Sequence, residues 1–373
     1  MIRGLNLCYL VIIPVIFPFL AFSKMFIDSY IFKVCGRLLN KPAKFLFSVS
    51  GDYANAFFIG AAAGFPVGAK TVSEVYLANK NNKSHAVNKN EAERTLAFCN
   101  NCSVSFAVSA VGIAVFGSFK TGLALFFIQL FAAIITGIII RFIFKPEREV
   151  FAFSESGKRG GSNYTPREES DFAEILSDSV NAILNVCGTV LFFFIAADIT
   201  LEYLKFLPFF SSDFFKILIP GIFEISSGIN SLVNSDVSAY YKLIFASIIL
   251  SWSGISVHFQ IMSAIKIKEK NVGFSLKPYF TGKIIHAIIS IGATLSAVKF
   301  APGLIDLVKI NEIAASTAGS PVLNKLAGLG AYTGALALTF IVSLAVMSSA
   351  FILVILSGLF RGLCRIYRTR GNP

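Results

Sequence analysis

Charge is what this sequence most conspicuously lacks. Asp, Glu, Lys and Arg together make up 14% of its 373 residues, against about a quarter in an ordinary soluble domain. A chain this long with so little charge cannot clothe two or three soluble domains, so a water-exposed globular architecture is excluded. Histidine is scarce too, with three in the whole chain, and no second Cys-x-x-C accompanies Cys99 and Cys102, so a structural zinc site is not expected. The six cysteines follow no disulfide-framework spacing, which points to reduced, membrane-buried thiols. Walker loops, Ser-His-Asp arrangements and paired hydrolase carboxylates are also missing. Gly64-x-x-x-Gly68-Ala69-Lys70-Thr71 imitates a phosphate loop only in outline, because the required spacing is not met. An enzyme is therefore not expected, nor any cofactor or metal.

What the chain has instead is apolar sequence. Hydrophobic residues make up 55% of it, including 39 phenylalanines, and the mean hydropathy is +0.71. Several runs reach the roughly 18 residues needed to cross a bilayer. Clusters such as Phe192-Phe193-Phe194 suit lipid-facing helix surfaces. The fold expected is all-α and polytopic, with the lipid bilayer as its first partner. The formal net charge of +12 does not indicate nucleic acid, because the basic residues stand in short blocks between apolar runs, as the positive-inside rule requires.

Along the chain the expected organisation is as follows. Residues 1–44 comprise a transmembrane helix from about Leu7 to Phe22, read as retained rather than as a cleaved signal peptide, and an amphipathic interfacial segment from Asp28 to Lys44. Residues 45–144 form a first repeat: an apolar stretch interrupted at Gly51-Asp52, Gly60, Gly64-Phe65-Pro66 and Gly68, a polar loop from Lys80 to Arg94, then spans at about Thr95–Phe116 and Thr121–Phe144. Residues 145–171 are a charged, glycine-containing linker. Residues 172–300 hold a span at about Phe172–Leu204, then a second repeat: a stretch from Leu207 to Val233 broken at Pro208, Pro220-Gly221 and Gly228, and spans at about Tyr241–Ile265 and Lys283–Phe300. Residues 301–373 carry a loop, a span at about Leu329–Phe360 and a basic tail. A Gly/Pro break at membrane depth is tolerated only where protein or a water-filled cavity satisfies the freed backbone, so both interrupted stretches are expected to be re-entrant hairpins.

Charge placement agrees with that topology. If each hairpin enters and leaves on one side, segments 24–44, 80–94, 145–167, 266–283 and 361–370 share a face. They hold 5, 4, 5, 5 and 4 basic residues, 23 of the 33. That face, with the C-terminus, is then cytoplasmic. The two hairpins enter from opposite sides, and each precedes a helix with a polar centre. Ser103-Val104-Ser105-Phe106 parallels Ser256-Val257-His258-Phe259. Inverted repeats of this kind are the signature of many secondary transporters.

The polar centres supply the candidate site. Asn100 and Asn101, with Ser103, stand in an apolar span where amides are costly unless partnered. They either glue helices together or mark a helix that unwinds to meet a solute. Ser253, Ser256, His258 and Gln260 form the second centre, with Gly254 as a break. His258 is a candidate proton-coupling group or a packing histidine. Glu224, Ser226 and Ser227 lie at the second hairpin, where Glu224 either binds a cation or proton or caps a half-helix. Lys70 lies near the first hairpin tip and either faces an anion or snorkels to the surface. The substrate-binding candidates are thus Asn100, Asn101, Ser103, Ser253, Ser256, Gln260, Glu224, Ser226, Ser227 and Lys70, with Glu224 and His258 as coupling candidates.

These blocks resemble a known family. Gly64-Phe65-Pro66-Val67-Gly68-Ala69-Lys70, Glu91-Ala92-Glu93-Arg94, Phe98-Cys99-Asn100-Asn101, Glu224-Ile225-Ser226-Ser227-Gly228-Ile229 and Gly254-Ile255-Ser256-Val257-His258-Phe259-Gln260 are similar to those of the YlbJ-type sporulation integral membrane proteins. The resemblance covers roughly residues 45–300. It implies two nucleoside-recognition (Gate) domains related to the core of concentrative nucleoside transporters, a cell or forespore membrane of a spore-forming bacterium, and transport of dipicolinate or a nucleoside-like solute. The alternative it leaves is a membrane scaffold or ligand sensor in a sporulation assembly, and a homo-oligomer is compatible with either. One departure stands out: the family usually follows its Asn pair with a small residue and Gly-Pro, where this chain has Cys102-Ser103-Val104.

Overall fold

The computed structural model describes residues 2–27, 29–81, 88–145, 171–267, 270–271, 273–300 and 302–305. Most of the expected linker, the span at about Leu329–Phe360 and the basic tail, with the side on which it lies, fall outside the described residues. Cys364 falls there too.

The described residues are almost wholly helical. The chain opens with α1 (Ile2–Leu7), a π-helical turn (Cys8–Ile12) and α2 (Ile13–Ile27), which together form the first apolar rod. Next comes α3 (Tyr30–Phe47), which is amphipathic as its sequence requires: it buries Phe32, Gly36, Ala43 and Phe47, and Ser29 caps its start by accepting from the Phe32 amide. The first interrupted stretch folds as α4 (Gly51–Ala63) and α5 (Val67–Asn81), turning at Gly64-Phe65-Pro66. Then follow α6 (Lys89–Leu96), an unwound stretch, a π-helical segment (Phe106–Ile113), α7 (Ala114–Phe116) and the long α8 (Phe119–Ile143). The second half runs through α9 (Phe172–Leu204), a 3-10 turn (Pro208–Ser211), α10 (Asp213–Phe223), α11 (Ile225–Val233), α12 (Ala239–Trp252), α13 (Gly254–Ile265) and α14 (Lys277–Phe300). A two-residue ladder pairs Lys266 with Asn271 and Ile267 with Lys270 between the last two.

Among the described residues, four rods are long and apolar enough to cross a bilayer: α8, α9, α12–α13 and α14. Their surfaces are those of a protein solvated by lipid. On α14, Phe280, Ile284 and Ile288 are 36%, 57% and 65% exposed, while Tyr279, Lys283, His286, Ser290 and Thr294 are buried. This polarity is the reverse of a water-soluble amphipathic helix, and it is stable only where hydrocarbon surrounds the bundle and polar groups pair inside it. The pairing is found where α14 packs against α8 and α12. Gln129 donates to Ser290 Oγ (2.6 Å), Ser247 Oγ lies 2.8 Å from Ser290 Oγ and 2.7 Å from Thr294 Oγ1, and His286 Nε2 lies 3.0 Å from the Gln129 carbonyl.

The two halves repeat one order of elements: a helical hairpin, a helix interrupted at its middle, and an uninterrupted long helix. In the first half these are α4–α5, α6 to α7 and α8; in the second, α10–α11, α12–α13 and α14. Hairpin arms are short. At 1.5 Å per residue the 13 residues of α4 and 11 of α10 reach only about 20 Å and 17 Å, less than the ~30 Å hydrocarbon core.

Two expectations need correction. The second hairpin breaks at Glu224, with Pro220 and Gly221 inside α10 and Gly228 inside α11. Gly221 and Gly228 instead let the arms touch, since a Cβ on Gly228 would come within 2.4 Å of the Gly221 Cα. The stretch before Arg94, expected as loop, includes the helix α6, whose polar side chains clasp three turns. Ser50 donates its amide to Glu91 at the start of α4, and the Ser275 amide donates to Glu93 (2.6 Å). Arg94 donates to the Phe47 and Ser48 carbonyls (2.9 and 2.8 Å) at the end of α3. Carboxylate at a helix start and guanidinium at a helix end both suit the helix dipoles.

Candidate functional site

The interruptions meet one another. The first lies from Ala97 to Ser103, where the backbone leaves the helix, as the Asn pair suggested. It threads through the first hairpin. A Cβ on Gly60 or Gly68 would fall 2.0 or 2.4 Å from the Cys99 carbonyl oxygen, so glycine on both arms is what admits this strand of backbone. At the tip, Gly64 (φ +86°) sits against Ser103. The second half repeats the contact. Ser253 and Gly254 both adopt positive φ at the break between α12 and α13, and Gly254 packs on the backbone of Glu224 at the second tip.

A residue that sequence reasoning assigned to a cytoplasmic loop occupies the centre. Lys283, on α14, is buried, and its Nζ donates to the Asn100 carbonyl (2.9 Å), to Ser253 Oγ (3.0 Å) and to the Ser251 carbonyl (3.4 Å). The ring of Phe65, from the first hairpin tip, lies 4.9 Å away. One ammonium thus touches both broken helices and a hairpin tip. Burying an ammonium costs several kcal/mol, offset here by charge-assisted bonds of about 1.5–3 kcal/mol each and by cation–π attraction. No carboxylate lies within ion-pair distance of it among the described residues. By sequence, Lys283 falls both at the end of the basic segment 266–283 and at the start of a span, whereas α14 begins six residues earlier, at Lys277.

Other candidates divide between structural and unpartnered roles. Glu224 is buried and accepts the Ser227 amide (2.7 Å), the capping role among the alternatives. Ser226 lies beside it at the start of α11. Ser103 accepts the Phe106 amide (3.2 Å) and Ser256 accepts from Gln260 (3.1 Å), so these three side chains serve their own helices. His258 places Nδ1 2.6 Å from the Tyr279 hydroxyl and packs edge-on against Trp252. Its Nε2, the Asn100 and Asn101 Oδ1 atoms and the Lys70 Nζ are enclosed without hydrogen-bond partners. Lys70 therefore does not snorkel to an open surface, and no hydrogen bond ties it to the Lys283 cluster. The thiols of Cys99 and Cys102 are buried and free. A surface groove of about 600 Å³ lies elsewhere, between α9 and α13, lined by Leu184, Asn185, Phe193, Phe259 and Ser263.

Fold and site together define a polytopic helical membrane protein whose interrupted helices converge on buried polar groups. The chain is 25% identical over 309 residues to the sporulation integral membrane protein YlbJ of Bacillus subtilis strain 168, a match covering 76% of this chain and 73% of that protein. It is a homologue of that sporulation membrane protein. No protein-family model matches the chain, and no solved structure does.

Proposed function

We infer that this protein is a secondary transporter for a small polar, anionic solute. Dipicolinate is the solute and the forespore membrane the location that the family resemblance implies. The observation that carries this reading is the convergence of both interrupted helices and a hairpin tip on Lys283, within a bundle whose outer surface is apolar. Discontinuous helices that meet near the middle of a bundle leave backbone groups unpaired by their own helices, and those groups bind solutes and ions in transporters. Hairpin arms too short to cross fit a re-entrant path, and the repeated order of elements fits two inverted halves rocking about a shared site. Lys70 supplies an unpartnered cation for an anionic solute, and the Asn100 and Asn101 side-chain oxygens are enclosed acceptors that a donor on a nucleoside-like solute would satisfy. Half-helix N-termini at Val67 and Ile225 add favourable dipoles.

Uptake of labelled dipicolinate into proteoliposomes tests the reading, beside a labelled nucleoside and empty liposomes. Saturable uptake that falls at least tenfold in Asn101→Ala, with the variant inserted and folded, is the expected result. Absence of uptake of either solute by folded wild-type protein would favour a scaffold or ligand sensor in a sporulation assembly instead.

A further inference from the structure

We propose that the Lys283 ammonium occupies the seat of a coupling cation, so that transport is coupled to the loss and regain of its proton and not to sodium. This rests on the transport reading above and deepens it.

The ligand set is the first ground. Asn100 O, Ser251 O and Ser253 Oγ are neutral, hard oxygens, two of them carbonyls freed where helices break. Unwound carbonyls of this kind hold sodium or a proton in transporters with discontinuous helices, and oxygen donors are what a hard cation selects. Here the cation is covalently attached to α14.

Saturation is the second ground. An ammonium has three N–H donors, and three acceptors already lie within hydrogen-bond distance. No donor remains for a solute carboxylate, which separates Lys283 from Lys70, whose Nζ is enclosed and unpartnered. Lys283 therefore serves the cycle as an ion and Lys70 as a solute contact.

The third ground is what a change of charge does to the breaks. Loss of one proton to water on the side then open leaves an amine with two N–H groups and a lone pair. Both carbonyls remain served, and of the three ligands only the Ser253 hydroxyl can turn a hydrogen towards the lone pair. The site accommodates both forms, but charge-assisted bonds become neutral ones of roughly half the strength. The two broken helices are gripped together in one form and loosened in the other, and a proton taken up from the opposite side restores the grip. The titratable groups facing Lys283 are Cys99 and Cys102 from the first break, His258 from α13, and Tyr279 and His286 from its own helix. Among the described residues none of these is a carboxylate, and no fixed counter-ion there holds the proton in place.

Two measurements decide the proposal. Thermal unfolding of the purified full chain needs no transport. Wild type is expected to unfold at the same temperature in sodium, potassium and choline chloride. Lys283→Ala is expected to unfold lower and to recover saturably with sodium but not with choline, as a free cation fills the emptied seat. Sodium-specific stabilisation of wild type, or indifference of folded Lys283→Ala to sodium, would overturn it; if Lys283→Ala does not fold, the wild-type comparison and Lys283→Gln stand in. The second measurement uses dipicolinate-loaded exchange and uptake in proteoliposomes. Lack of any dipicolinate movement by wild type defeats the transport reading and leaves the seat to the unfolding data. Where wild type does transport, an imposed pH gradient should change the initial rate at least threefold and a sodium gradient should not. Lys283→Arg, whose guanidinium does not release its proton, should show no pH-gradient response in whatever exchange rate it retains. Sodium-driven uptake, or an intact pH response in Lys283→Arg, sinks the idea.

Discussion

The Nζ of Lys283 donates to the main-chain carbonyl of Asn100 at 2.9 Å, across 183 positions of sequence. The bond joins the uninterrupted helix of the second half to the broken helix of the first. With Ser251 and Ser253 as its other acceptors, the lysine makes each half incomplete without the other. This contact and others described above lead to four tests.

Glycine at the crossing of the first hairpin and the first break is sterically required. In Gly60→Ala the new methyl would overlap the Cys99 carbonyl oxygen, which no side-chain rearrangement relieves. We expect a loss of several kcal/mol, of the size that overpacking and backbone displacement produce, read as little folded protein in detergent. Gly188→Ala on α9 meets nothing within 4 Å. It should be neutral or stabilising by up to about 1 kcal/mol.

Arg94 holds the Phe47 and Ser48 carbonyls while its Nε donates to Asn90. A lysine cannot reproduce a fork that reaches three acceptors. Arg94→Lys should lower stability by about 1–3 kcal/mol and Arg94→Ala by more, with increased proteolysis near the α3–α4 turn as the local readout.

Ser247 and Thr294 share a 2.7 Å hydroxyl contact inside the α8–α12–α14 junction. A double-mutant cycle with Ser247→Ala and Thr294→Val should give a coupling energy of about 0.5–1.5 kcal/mol, the range found for hydrogen bonds between membrane helices. Zero coupling would mean that the contact does not persist.

For Glu224, the cap and the coupling roles give opposite outcomes. As a cap, its oxygen accepts the Ser227 amide, and Glu224→Gln retains an acceptor. That variant should unfold within about 1 kcal/mol of wild type and keep its solute uptake, whereas Glu224→Ala should lose about 1–2 kcal/mol. Normal stability with abolished uptake in Glu224→Gln would transfer the coupling role to this carboxylate.

Much of the architecture was legible because breaks have local causes. Gly64-Phe65-Pro66, the Asn pair and Gly254 interrupt helices by their own chemistry, and the structure breaks at each. The capping role of Glu224 was likewise among the readings its neighbours Ser226 and Ser227 allowed. Where the chain departed from expectation, the deciding contact was distant in sequence. Lys283 was counted among five basic residues of a loop, and Arg94 among four, because a positive-inside count sees composition and not partners. Both are buried, held by carbonyls tens to hundreds of positions away. The π-helical segment Phe106–Ile113 had no local signal at all.

The glycine pair that encloses the Cys99 carbonyl carries a mechanical consequence. With one arm bearing Gly60, the other bearing Gly68, and no room for even a methyl group between them and the strand they hold, the hairpin and the break cannot slip past one another. They are geared together as a single rigid lever. Any displacement of the Gly64 tip must therefore drag the Asn100 carbonyl with it, away from or towards the lysine on the opposing helix.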